Sequence, residues 1–274
     1  MGVTAAVTGV VTHEVDQRIP GGWVAYGQAV PRGSIRAEPT TTRVVWQVDT
    51  DRPVVALTFD DGPDPRYTPK VLDLLDEHEA VATFFLQGSH VEEHHDLARR
   101  VAERHAIGNH TFTHPDLGKA DADKARRELR DAHRVIEDVT GTTPVLFRPP
   151  YGGLSGATTM VAADMGYDIV LWSDRMSSRR TPQRNLHTLA DTVRPGAIVL
   201  AHDGGSLPNQ AVLDSLPALL DWFEEEEIEL VTIPELMAAE SDDPRNGDRA
   251  TNIDPVSDEE PEVATATTIV TTGG

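Results

Sequence analysis

The chain has 274 residues, so a single α/β barrel of roughly 200 to 250 residues fits its length as well as two domains do. Its formal net charge is −21 and it has no dominant basic cluster, which argues against nucleic acid as a partner. The absence of Cys excludes disulfides and thiolate metal ligands. An acidic, lysine-poor surface is typical of halophilic proteins, although a GC-rich genome also favours Arg over Lys.

Residues 1–50 are predicted to form an N-terminal extension that packs against the main domain. They are rich in Gly, Thr, Val and Pro, and contain a β-like segment at 43–48. The short apolar run at 5–11 has no basic region before it and no clear cleavage site after it, so neither a signal peptide nor a transmembrane segment is predicted. Localisation and oligomeric state stay open at this point.

From Val54 the pattern alternates between β and α, which predicts parallel strands joined by helices. One helix is predicted from an N-cap at Thr68 and a proline at the next position to about Glu79, and the longest helix spans 121–139. The acidic, Pro- and Thr-rich segment 241–274 is predicted to be a disordered tail, which leaves 51–240 as the main domain. The predicted strands are Val54 to Phe59, Ala82 to Leu86, Ala106 to Asn109, Val145 to Arg148, Asp168 to Trp172, Ala197 to His202 and Glu229 to Thr232.

Two neighbouring carboxylates follow the first of these strands, in Thr58-Phe59-Asp60-Asp61-Gly62-Pro63. Asp, Gly and Pro are also the residues that turns need, so this segment alone could be only a turn. A hydrolytic metal site would use both carboxylates, because one can bind the ion and the other can accept a proton from water.

His110 and His114 follow the third predicted strand, in His-Thr-Phe-Thr-His. Side chains four residues apart in a helical turn lie about 5 to 6 Å apart, close enough to bind one ion. A single His-x-x-x-His is weak evidence by itself. One Asp and two His are nevertheless a sufficient protein ligand set for a catalytic divalent metal.

Two further polar clusters end predicted strands. The segment Phe147-Arg148-Pro149-Pro150-Tyr151-Gly152 has two prolines that fix the backbone, and the apolar run 197–201 ends in His202-Asp203-Gly204. Each could be an ordinary turn. All four clusters, however, lie at the carboxyl ends of predicted parallel strands, where barrel enzymes assemble their active sites.

These residues resemble the polysaccharide deacetylase family, the NodB-like carbohydrate esterases, over roughly Arg52 to Leu236. The resemblance rests on four motifs in the family order, at 58–63, 110–114, 148–152 and 200–202. It implies a distorted, TIM-like (β/α) barrel of about seven parallel strands. It also implies an enzyme that removes acetyl groups, usually from N-acetylglucosamine units of a polysaccharide or oligosaccharide, outside the cell or at its surface.

The resemblance also assigns roles to the motif residues. It makes Asp60 the general base and His202 the general acid. The metal ligands would be Asp61, His110 and His114, binding Zn²⁺ or another divalent ion such as Co²⁺ or Mn²⁺.

The remaining roles concern the groups around this centre. Arg148 would orient Asp60, and the main-chain N–H of Tyr151 would stabilise the oxyanion. Leu200 and Trp172 would line a pocket for the acetyl methyl group, although both could be ordinary core residues. Asp174 would orient His202.

The fourth family motif departs from its usual form. The family commonly has an Asp followed after two residues by Asp-Trp, whereas residues 172–178 here read Trp-Ser-Asp-Arg-Met-Ser-Ser. Two other functions therefore stay open: an esterase that removes O-acetyl groups from xylan-type glycans, and a glycan-binding barrel without turnover.

Overall fold

The computed structural model describes residues 42–205 and 209–240, together with the backbone of residues 5–6. The predicted tail at 241–274 and most of the predicted N-terminal extension therefore lie outside the described residues. One part of that extension, Arg43–Val45, is itself a strand of the sheet and pairs in parallel with Asp168–Val170.

Among the described residues the sheet has ten strands, and it contains all seven that the sequence predicts. The strands in chain order are β1 Ala5–Ala6, β2 Arg43–Val45, β3 Val54–Asp60, β4 Thr83–Leu86, β5 Ala106–Asn109, β6 Leu146–Phe147, β7 Asp168–Val170, β8 Asp174–Arg175, β9 Ile198–His202 and β10 Glu229–Leu230.

The strand order is β1-β2-β7-β6-β5-β4-β3-β9-β8, with β10 beside the start of β3. All pairings are parallel except β1 with β2. The sheet curls until Gln47 forms a bridge with Ala197, and the amide of Val48 donates to the carbonyl of Gly196. The predicted distorted (β/α) barrel is confirmed.

Eight α-helices surround the sheet in the described part of the chain. They are α1 Thr68–Glu77, α2 Gly88–Glu93, α3 His95–Ala102, α4 Ala122–Thr140, α5 Gly156–Asp164, α6 Pro182–Thr192, α7 Gln210–Glu225 and α8 Ile233–Ala238. Within the described residues, none of the helices combines the length and the apolar character needed to cross a membrane.

The longest helix, α4, follows the prediction closely. The Asp121 side chain accepts from the Lys124 amide at its start, and Gly141 ends it with a φ of 72°. Its apolar face buries Leu129, Ala132 and Ile136 against the sheet and neighbouring helices. The polar face remains in water, as an amphipathic pattern predicts.

The predicted N-cap of α1 is wrong. Thr68 is the first helical residue, Tyr67 precedes the helix, and Pro69 is therefore one position later than predicted. The reason is tertiary: the Thr68 hydroxyl donates to the carboxylate of Asp203 and accepts from the amide of Asp64. It therefore joins two segments of the barrel instead of closing its own helix.

Strand β3 lies entirely within the core of the barrel. All seven residues of β3 are buried, because helices cover the barrel outside and side chains fill it inside. Its polar members, Thr58 and Asp60, lie in the second half of the strand. The carboxyl ends of β3, β5 and β9 meet at one end of the barrel, and this is where the chemical groups collect.

Candidate active site

Asp60 and His202 are opposite each other on neighbouring strands. They end β3 and β9, and they are register partners in the parallel pair. Both side chains line a cavity of about 890 Å³ at this end of the barrel. The two residues predicted as base and acid are therefore brought to one cavity.

Arg148 fixes the carboxylate of Asp60 by a buried ion pair. Its Nη1 lies 2.8 Å from Asp60 Oδ1 and 2.8 Å from the Thr58 hydroxyl. Its other nitrogens donate to the carbonyls of Val170 and Leu171, and its guanidinium stacks over the Phe85 ring at 4.0 Å. A buried pair of this kind needs such additional bonds, because both charges have lost their hydration.

Asp61, His110 and His114 converge as a possible metal-binding group. Asp61 Oδ1 lies 3.3 Å from His110 Nε2 and 3.1 Å from His114 Nε2, and one ligand atom from each residue lies within 4.8 Å of the others. Asp61 Oδ1 is buried and has no hydrogen-bond partner among the described residues. A buried, unsatisfied carboxylate oxygen between two imidazole nitrogens fits a divalent ion.

The second imidazole nitrogen of His110 supports the same assignment. Nδ1 lies 2.7 Å from the Arg148 carbonyl and donates to it, which leaves Nε2 with a lone pair for an ion. Burial alone would lower the pKa of His110, but the charge of Asp60 and the contact with Asp61 outweigh it and raise that pKa. Burial would likewise raise the pKa of Asp61, yet the two imidazoles hold it well below its ordinary value.

The loop that carries the two histidines is not helical, unlike the geometry considered from their spacing. Thr111 and His114 have φ values of 68° and 59°, so the loop turns twice in the left-handed region. Asn109 Oδ1 accepts from the Thr111 amide, and the Glu128 carboxylate on α4 accepts from the amides of Phe112 and Thr113. These bonds stabilise a strained backbone that brings both imidazoles to Asp61.

The segment after His202 packs tightly against the Asp61 turn. A Cβ on Gly204 would lie 2.3 Å from the Asp61 carbonyl oxygen, and one on Gly205 would lie 2.4 Å from Asp61 Oδ2. Burial raises the pKa of Asp203 to about 7, and this carboxylate accepts from the Thr68 hydroxyl. The two glycines therefore allow the segment after β9 to approach the carboxylate that faces the histidines.

Three residues predicted to contact substrate also line the cavity: Tyr151, Trp172 and Leu200. The Tyr151 ring is exposed and meets the His114 ring edge-on, with the centroids 4.8 Å apart. Tyr151 has a φ of 60°, in a turn that the preceding prolines constrain. Trp172 is half-buried beside the Arg148 guanidinium, at 5.8 Å.

The predicted role of Asp174 in orienting His202 is wrong. In β8, Asp174 pairs with Val199 and Arg175 pairs with Leu200, so alternate side chains point to opposite faces. Arg175 and Leu200 face the cavity. Asp174 faces α6 instead, where its carboxylate accepts from the hydroxyls of Ser173 and Thr192.

Comparison with known proteins agrees with this geometry. A family model described as polysaccharide deacetylase matches residues 47–170. A peptidoglycan-N-acetylglucosamine deacetylase of Bacillus cereus is 37% identical over 205 residues, which cover 73% of this chain and 95% of the relative. The chain belongs to the polysaccharide deacetylase family.

Solved structures of the family have the same fold. A crystal structure of a peptidoglycan N-acetylglucosamine deacetylase has a TM-score of 0.68 and 31% identity, covering 72% of this chain and 92% of the other. A CE4 family pseudoenzyme from Bacillus anthracis has a TM-score of 0.66 and 26% identity, covering 72% and 69%. The same fold therefore occurs in a deacetylase and in a pseudoenzyme. Because the fold alone does not establish activity, function has to be inferred from the side chains of the site.

Sequence reasoning missed the residues that support the site: Asn109, Glu128 and Asp203. Asn109 ends a predicted strand directly before His110, so its position gave a usable signal. Glu128 lies on the polar face of α4 and looks like any solvated Glu in the sequence. Its contact with the histidine loop depends on how α4 packs over β5.

Proposed function

We propose that this chain is a divalent-metal-dependent deacetylase that hydrolyses N-acetyl groups on amino-sugar polymers and releases acetate. One observation carries the proposal: Asp61, His110 and His114 converge around an unsatisfied carboxylate oxygen, with Asp60 and His202 on the walls of the same cavity. The carboxylate and imidazole donors suit Zn²⁺, and they also accept Co²⁺ or Mn²⁺.

When bound, the ion supplies Lewis acidity, which polarises an acetyl carbonyl and lowers the pKa of water to about 7. Asp60 accepts the proton of the attacking water. Its ion pair with Arg148 holds the carboxylate in place at the wall of the cavity. The water oxygen bonds to the carbonyl carbon, and the π electrons of the C=O bond move onto the carbonyl oxygen.

His202 completes the reaction from the opposite wall. An amine leaves poorly as an anion, so the His202 imidazolium gives its proton to the nitrogen as the carbon–nitrogen bond breaks. The Tyr151 N–H stabilises the oxyanion, a contribution typically worth about 10² to 10³ in rate. Leu200 and Trp172 form the apolar wall against which the acetyl methyl packs.

The intact catalytic groups favour turnover over glycan binding alone. Asp60, His202 and the three donors all face the cavity, although Asp174 does not reach it. A substrate of this type is a surface or exported polysaccharide, so we also propose an extracellular or cell-surface site of action. Hydrolysis of O-acetyl groups would use the same site and is the second outcome to be tested.

Acetate release tests activity, metal and substrate together. Purified protein is assayed on N-acetylglucosamine oligomers, peptidoglycan and acetylated xylan, at low and high salt, before and after chelation. We expect acetate from the N-acetylated glycans, loss of activity with chelator, and recovery on addition of Zn²⁺, Co²⁺ or Mn²⁺. Release from xylan alone would assign an O-acetyl esterase, and no release with any metal would assign a non-catalytic barrel.

A further inference from the structure

The cavity has a basic rim although the chain as a whole is strongly acidic. Arg175 and Arg179 line the cavity on the side of β8 and the segment that leads to α6. Both are exposed, and within the described part of the chain neither side chain has a hydrogen-bond or ion-pair partner. Other exposed arginines, such as Arg127 and Arg134 on α4, also lack a side-chain partner among the described residues. Arg175 and Arg179 differ from them because they line the active-site cavity.

A third arginine of the cavity, Arg66, is paired with a carboxylate, in contrast to Arg175 and Arg179. Arg66 donates to both carboxylate oxygens of Asp64 at 3.0 and 3.1 Å, and it also donates to the Gly205 carbonyl. Its charge is neutralised, and its donors hold the loop that follows β3. Arg175 and Arg179 have no such structural role, which leaves their donors available to a ligand.

The backbone that carries these two arginines is fixed. Met176 is buried and its amide donates to the Leu200 carbonyl at 2.8 Å. Ser177 is bonded twice by the fully buried Asn185, which accepts from its amide and donates to its carbonyl. Asn185 is itself bonded to Ser215 on α7. A rigid backbone lowers the entropy cost of binding a charged group at the rim.

We infer that Arg175 and Arg179 bind an anionic substituent of the glycan, so that the preferred substrate is an acidic N-acetylated polysaccharide. The inference rests on the proposed function, and it adds a substrate class to it. Guanidinium groups bind carboxylates and sulfates through paired N–H donors, which neutral sugar hydroxyls cannot match in strength. Arg175 lies in the segment 172–178, where the fourth family motif departs from its usual form, and Arg179 directly follows it.

The test compares a charged glycan with a neutral one. The variant is Arg175→Gln with Arg179→Gln, and the matched control is Arg127→Gln with Arg134→Gln, two exposed arginines on α4 away from the cavity. The substrates are a hyaluronan oligosaccharide, in which glucuronate alternates with N-acetylglucosamine, its methyl ester, an N-acetylated sulfated oligosaccharide and chitotetraose. Both acetate release and equilibrium binding to the zinc-loaded protein are measured at fixed ionic strength.

For the rim variant we expect the ratio of affinity for a charged glycan to affinity for chitotetraose to fall about five- to thirty-fold, since two exposed charge contacts are lost. The control should leave that ratio unchanged. A larger loss on the carboxylated or on the sulfated glycan identifies the group that binds. Equal losses on charged and neutral glycans, or a wild-type protein that binds the methyl ester as tightly as the acid, would overturn the inference. Absence of acetate release with a normal binding ratio would refute the deacetylase proposal and leave the rim assignment standing.

Discussion

Two buried histidines at opposite ends of strand β5 show that the two ends of the barrel have different roles. His105 directly precedes the strand and His110 directly follows it, and both are less than a tenth exposed. Burial lowers the pKa of His105 to about 4, whereas the carboxylates around His110 outweigh burial and raise the pKa of His110. The same residue type, four strand residues apart, thus has opposite electrostatic surroundings.

The neighbours explain the difference. His105 packs on the Phe84 ring and accepts from the Ala82 amide, so it serves as a neutral core residue. His110 faces Asp60 and Asp61, at 3.8 and 3.3 Å from its Nε2. At the carboxyl end of the strand, the histidine therefore lies among the carboxylates of the candidate active site. At the amino end, the buried histidine contributes to the stability of the core.

Removing the base should give the largest effect on turnover. Asp60→Asn keeps the shape of the side chain and its contact with Arg148, but it removes the proton acceptor. We expect the kcat of acetate release to fall about 10²- to 10⁴-fold while bound metal stays constant. Steady-state kinetics and metal analysis check this, and a variant with wild-type kcat would eliminate Asp60 as the base.

Removing a metal ligand should give the next largest effect, one that added metal partly reverses. His114→Ala leaves Asp61 and His110 as two donors, and metal affinity should fall by more than the roughly 10- to 100-fold that changes outside the ligand shell cost. His187→Ala, at an exposed histidine of α6, is the control. Unchanged metal occupancy in His114→Ala, measured after dialysis, would contradict the ligand assignment.

Loosening the histidine loop should have a smaller effect of the same kind. Glu128→Ala removes the acceptor of the Phe112 and Thr113 amides, but Asn109 still holds Thr111. We expect about ten-fold weaker metal binding and little change in kcat at saturating metal. The control is Glu137→Ala on the same helix, whose carboxylate contacts Thr143. If both variants bind metal equally well, the loop is held by its own turns alone.

The sequence predicts the carboxyl end of the barrel better than its surroundings, for a physical reason. Asp61 and His110 directly follow apolar strands, so local pattern and parallel topology together bring them to one place. Glu128 reaches the site only because α4 packs over β5, and Asp174 misses it because the pleat of β8 turns it toward α6. Side-chain direction at a strand end and contacts across elements are tertiary properties, which a single sequence does not contain.

A change at His105, at the amino end of β5, should alter the free energy of unfolding but not the turnover of the enzyme. His105 has a pKa of about 4 in the folded chain and 6.5 as its ordinary value, so the unfolded chain binds more protons between these values. The contribution of His105 to the free energy of unfolding is therefore fully present above pH 6.5. It is lost as the pH falls toward 4, by at most about 3 kcal/mol.

The variant His105→Gln tests this, because glutamine can still accept from the Ala82 amide but does not titrate. Urea unfolding of both proteins with chelator, at pH 7.5 and 4.5, should show the smaller acid loss in the variant, with kcat at pH 7.5 unchanged. Equal acid losses would mean that His105 is hydrated in the folded state, and the contrast between the two ends of the strand would then not hold.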